Sequence, residues 1–146
     1  MNKHQTIESL SVLLAACRDG HDGFLVAAKA ATSPGLKSTL GRFGVERGEF
    51  ATAIAGEIER LGGKPHGHGT LAGHFHRGWF ELKSMIQRSP DAALLKACER
   101  GECATVTHFE QELEKEFPDQ TRELIERQML RIFEVRETIR GFVTRD

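Results

Sequence analysis

The chain has 146 residues, 39% hydrophobic and 28% charged, a balance that fits one soluble globular domain and neither a disordered chain nor a membrane-spanning one. Twenty basic residues against twenty-one acidic ones leave a net charge of −1 and a pI near 6.7, so no overall field recruits nucleic acid or an anionic membrane surface. Three cysteines, Cys17, Cys98 and Cys103, are an odd number with no C-x-x-C spacing; that usage fits a reducing compartment, and the expected location is the cytoplasm.

The first predicted element covers about residues 6 to 32, where Ile7, Leu10, Leu14, Cys17, Phe24, Ala28 and Ala31 follow the 3-4 spacing of one helix face. Leu14-Ala15-Ala16-Cys17 after Lys3 has the form of a lipoprotein cleavage site, but Glu8 interrupts the apolar run and the helical spacing continues past Cys17. Ser33-Pro34 reads as an N-cap and first-turn proline opening a second helix. Its seam is Leu36, Leu40, Phe43, Phe50, Ile54, Ile58 and Leu61, and Gly62-Gly63 ends it. Residues 62 to 90 are too many for a plain loop and hold an amphipathic stretch of their own, Leu71, Phe75, Trp79, Leu82 and Ile86, which predicts a shorter crossover helix. Ser89-Pro90 repeats the opening signal for a third long helix through Leu95, Cys98, Val106, Phe109 and Leu113, and Pro118 breaks it. The last helix, about 119 to 144, runs through Ile125, Ile132, Val135, Ile139 and Phe142.

Each long helix is about 26 residues, roughly 39 Å. Four rods of matched length with one apolar stripe each make a four-helix bundle, and strand signals are absent. The turns at 32 to 35 and 117 to 119 are short, so helices one and two, and three and four, are antiparallel neighbours. A crossover that returns along the bundle makes helices two and three parallel. The expected architecture is therefore all-α and ferritin-like, a single domain over residues 1–146 with the extra short helix between helices two and three.

The stripes are interrupted once per helix, by His21, Arg47, Glu102 and Gln128. All four lie near mid-helix and are expected to meet in one polar layer. Arg47 and Glu102 satisfy each other there, with His21 and Gln128 completing the hydrogen bonds, because an unpartnered buried charge costs several kcal/mol. The competing reading is a metal site built from Asp22, Glu46, Glu99, Glu102 and His21, with iron or manganese as the metal. Di-metal bundles use a Glu-x-x-His pair on each of two helices. No glutamate here has histidine three residues later, and a guanidinium in the layer fills the room of a cation, so no cofactor is expected.

His66, His68, His74 and His76 crowd into eleven residues and could hold Zn²⁺, Ni²⁺ or Cu²⁺, but a glycine-rich loop does not preorganise them. Gly41, Gly44, Gly48, Ala51 and Ala55 form a stripe of small residues beside the second seam. Glycine within a helix costs ~1 kcal/mol relative to alanine, so a close backbone approach is expected there. The crossover helix, by way of Trp79 and Phe75, is the favoured neighbour and a second subunit the other; Gly20 and Gly23 invite the same explanation. Cys17, four residues before His21, lies on the buried seam and reads as packing rather than as a nucleophile.

Several segments together resemble a known family: Asp19-Gly20 with Gly23-Phe24, Glu46-Arg47 with Phe50, Leu61-Gly62-Gly63 with Pro65, His76-Arg77 with Trp79 and Leu82-Lys83, Cys98-Glu99-Arg100-Gly101-Glu102, and Glu126-Arg127-Gln128. These are similar to the uncharacterised bacterial four-helix-bundle proteins of the ferritin-like superfamily defined by a domain of unknown function. The resemblance covers nearly the whole chain. It implies the ferritin-like fold and a cytoplasmic bacterial origin, and no established activity. Two positions depart from the family pattern: Cys103 follows Glu102 where members tend to carry an acidic residue, and Arg136-Glu137 stands where many have His-Asp. The expectation for function is a non-catalytic, self-associating (dimeric) bundle, a binding or stress-related accessory protein with an Arg-Glu core and an unidentified small-molecule or protein partner. The alternative is a metal-binding protein or di-metal oxidase with a non-standard ligand set.

Overall fold

The computed structural model describes residues 1–65, 79, 81, 82, 85 and 89–145. Four long helices account for most of them: α1 (Lys3–Ala30), α2 (Pro34–Arg60), α3 (Asp91–Leu113) and α4 (Asp119–Arg145), with no strand among the described residues. Helix α1 starts earlier than its apolar spacing suggests because Asn2 caps it in a box, accepting from the Gln5 amide while the Gln5 side chain accepts from the Asn2 amide. It then runs unbroken through Cys17, which is fully buried.

Ser33 caps α2 by accepting from the Leu36 amide, and Pro34 occupies the first turn. Gly62, at φ +87°, takes the left-handed conformation that ends α2, and the Gly63 amide donates back to the Ile58 carbonyl. The third opening signal works differently from its sequence. Pro90, with no side-chain cap, precedes α3, and Asp91 turns outward instead. Its carboxylate accepts from the Thr32 amide, the Thr32 hydroxyl and the Ser33 amide at 2.9 to 3.0 Å. The start of α3 thus clasps the α1–α2 turn. Helix α3 ends at Leu113, before Pro118 is reached.

That clasp fixes the topology. It places the start of α3 at the end of the molecule where α2 begins, so α2 and α3 run parallel. Helix α1 packs on α2 and α3, and α4 on α3 and α2, while the α1/α4 and α2/α3 pairs stand on the diagonals. This is the one-crossover, ferritin-like bundle. Trp79, Glu81 and Leu82 are helical, and Trp79 and Leu82 are buried in the core. Leu71, Phe75 and Ile86, the rest of the predicted crossover stripe, lie outside the described residues, as do His66, His68, His74 and His76.

The interior divides into two apolar clusters. One gathers Phe24, Leu40, Phe43, Trp79, Leu82, Leu94, Cys98, Val135 and Ile139. The other gathers Leu10, Leu14, Cys17, Ile54, Ile58, Val106, Phe109, Ile125 and Ile132. On α1, α2 and α3 the division falls between Cys17 and Phe24, Phe43 and Ala51, and Cys98 and Val106. Buried polar residues fill that gap.

Candidate functional site

At the centre Arg47 of α2 and Glu102 of α3 form a two-pronged ion pair. Nη1 donates to Oε1 and Nη2 to Oε2, both at 2.7 Å. The side chains are 2% and 0% exposed. The two residues belong to diagonal helices, so the pair spans the middle of the bundle rather than joining neighbouring rods. Room for the arginine comes from Gly20 of α1, where a Cβ would stand 2.7 Å from Nη1 and 3.1 Å from Cγ. The guanidinium also lies 5.5 Å from the centre of the Phe24 ring, a cation–π contact in a dry setting.

The electrostatics of the layer follow from burial. Burial alone opposes charge on Arg47, but the facing Glu102 carboxylate outweighs it and holds the guanidinium above its ordinary pKa. The Cys17 thiol is pushed up to about 12, chiefly by burial; Arg47 pulls it down in part and Glu102 pushes it up. Burial raises Cys98 as well, with Glu102 adding to the effect. Neither thiol is a nucleophile at neutral pH.

The structure does not bring His21 and Gln128 to this pair. His21 is half-buried between α1 and α2, where its Nδ1–H donates to the Gly44 carbonyl at 2.7 Å. Gln128 donates from Nε2 to the Phe50 carbonyl at 3.1 Å, a turn along α2 from Arg47. Its Oε1 takes no hydrogen bond among the described residues. The reason is register: the two clusters part between Ile132 and Val135 on α4, a turn beyond the glutamine.

The alternative metal ligands are likewise separated. Arg131 donates to Glu46 at 2.8 Å, Arg140 donates to Glu99 at 3.1 Å, and Arg47 holds both oxygens of Glu102. Asp22 is half-buried on α1. Among the described residues no three His, Cys, Asp or Glu side chains group as metal ligands. A di-metal centre needs carboxylates that face one another; here each glutamate of the set faces an arginine.

The glycine stripe of α2 also has a different neighbour from the one expected. A Cβ at Gly44 would meet Leu25 at 2.9 Å, and one at Gly48 would meet His21 at 2.8 Å, so the close approach is to α1. Trp79 seats on Gly23, as expected, and on Gly101, where an added Cβ would overlap its indole, while Gly20 receives Arg47. Its Nε1–H donates to the Thr105 hydroxyl at 3.2 Å, and its ring meets Phe24 edge-on at 4.9 Å. Sequence reading left a second buried node unseen. Glu57 accepts both prongs of Arg60 at 2.7 Å and the Thr121 hydroxyl at 2.6 Å, tying the end of α2 to the start of α4. Its signal was present, since Glu57 adjoins the seam residue Ile58 and Thr121 stands one turn before Ile125.

The family model described as Domain of unknown function (DUF2383) matches residues 5–115, the span of α1 to α3 that holds both partners of the ion pair. Among solved structures the chain is similar to the bacterioferritin-related protein from Bacteroides fragilis, described as a dodecameric thioferritin. The two share 17% identity over 99% of this chain and 87% of that one, with a TM-score of 0.75; this likeness concerns the fold. No curated protein matches the chain.

Proposed function

Since the chain belongs to the family described as Domain of unknown function (DUF2383), we propose a reading from its own centre: a non-catalytic, self-associating ferritin-like bundle with a buried Arg–Glu pair at its middle. The observation that carries it is the Arg47–Glu102 fork, two bonds of 2.7 Å with both side chains buried. A guanidinium is a fixed cation that satisfies both carboxylate oxygens, so it serves as the counter-ion and closes the space to another. Glu46 and Glu99 each accept one further bond, from Arg131 and Arg140. This donor set does not fit iron or manganese.

What remains is a rigid helical body that acts through its outer faces, as a binding or accessory protein of a reducing, cytoplasmic compartment. Self-association suits it, and the Bacteroides relative is a dodecamer. No described helix is long and apolar enough to cross a membrane.

Elemental analysis tests the reading. Tag-free protein grown with iron and manganese is expected to carry far less than one metal per chain, unchanged by Glu102→Ala. Near-stoichiometric metal lost on Glu102→Ala would overturn it in favour of a metal centre. Metal lost only on replacing His66 and His68 would place a site in the histidine loop.

A further inference from the structure

We infer that the exposed face of α2 is a two-fold contact with a second copy of this chain, centred on Val45. This rests on the self-association proposed above and names its surface.

The outward stripe of α2 reads Ser38, Arg42, Val45, Glu49, Thr52, every one exposed and spaced by 4, 3, 4 and 3. They share one face of the helix, on the side away from the core. Val45, 58% exposed, is one of the few large apolar side chains left in water. Leu25 of α1, 38% exposed, packs over Gly44 beside it and widens the apolar centre.

The charges decide what covers this face. Arg42 lies three residues before Val45 and Glu49 four after. An antiparallel two-fold through Val45 therefore sets Val45 on its own copy, Arg42 against Glu49 of the partner on both sides, and Ser38 against Thr52. A parallel pairing would set Arg42 on Arg42 and Glu49 on Glu49. The pattern is self-complementary in the isologous sense alone. Several surface arginines, Arg60, Arg100, Arg122, Arg131 and Arg140, pair with carboxylates of their own chain, while Arg127 is exposed without one among the described residues. Among the described residues Arg42 and Glu49 have no such partner.

Charge reversal tests the register. Arg42→Glu and Glu49→Arg, both exposed and both checked for helix content, each turn two attractive contacts into repulsive ones. Each is expected to raise the dissociation constant of the pair by about tenfold in light scattering, and the double reversal to restore it. Val45→Cys in a Cys103→Ser background is expected to form a disulfide-linked pair under glutathione oxidation. Wild-type protein that stays monomeric overturns both this face and the self-association reading. Wild-type assembly that neither reversal weakens, with no cross-link at position 45, overturns this face alone.

Discussion

Removing one side of the central ion pair should be far more damaging than removing both. Arg47→Met leaves the Glu102 carboxylate, 0% exposed, in an apolar interior with both bonds of 2.7 Å gone. Stranding one member of such a pair costs about 3 to 5 kcal/mol, a large share of the ~5 to 15 kcal/mol that holds a domain folded. At ~2 to 4 °C per kcal/mol for a chain of this size, the melting temperature should fall by roughly 10 °C. Glu102→Leu strands the guanidinium and should cost a similar amount. Combining the two replaces a forked pair by side chains of comparable bulk that join the flanking clusters at Phe24 and Cys17. The double variant should lie within about 1 kcal/mol of wild type or be more stable by up to ~4 kcal/mol. Independent losses would instead sum to roughly 6 to 10 kcal/mol. Urea unfolding followed by circular dichroism, with all four proteins compared at matched m-value, measures the coupling directly. A single variant losing less than about 1 kcal/mol, or a double variant as unstable as the sum, would refute the claim that these charges are mutually obligatory.

Three further outcomes follow from the packing and the titrations. Gly23→Ala and Gly101→Ala push a methyl into the Trp79 indole and should each destabilise by about 1 to 3 kcal/mol; Gly56→Ala, with nothing within 4 Å, should stabilise by about 0.5 to 1 kcal/mol. Thermal melts of the three variants separate the effects. The Arg60 fork, followed by the Thr121 hydroxyl, holds Glu57 below the ordinary carboxylate range against its burial, and the Thr32 and Ser33 amides do the same for Asp91. Their folded pKa values are depressed, so the stability they confer is complete above the unfolded carboxylate range and is lost as pH falls through the lowered values. Urea midpoints should hold from neutrality to about pH 5 and decline below about pH 4, with the decline shallower in Glu57→Gln. Iodoacetamide at pH 8 should modify Cys103 of the native protein and leave Cys17 and Cys98 intact until urea is added, as read by mass spectrometry. Native labelling of Cys17 would contradict its burial.

Periodicity and punctuation made the four rods legible, because an apolar face must recur every three or four residues and Pro34 and Gly62 each act through their own backbone. The same pattern exposed Arg47 and Glu102, since a charge inside an apolar seam stands out in one dimension. Partnership did not show. Whether two mid-helix residues meet depends on the axial offset of the rods, and an offset of one turn put Gln128 with Phe50 and His21 with Gly44. The arginines that engage Glu46 and Glu99 lie on α4, away from its apolar seam, where nothing local distinguishes them from solvated charges.

The amino-acid order alone thus determined that this chain makes four amphipathic rods and that Arg47 and Glu102 interrupt the apolar seams of α2 and α3, for helix formation and burial are set by neighbours within a turn. Tertiary structure decided that those two rods stand on a diagonal and that their charges reach across the middle to each other. It also decided that Trp79 seats on Gly23 and Gly101 while the α2 glycines receive α1. Such contacts join residues 19 to 56 positions apart, and their geometry exists only once the rods have taken their angles and offsets against one another.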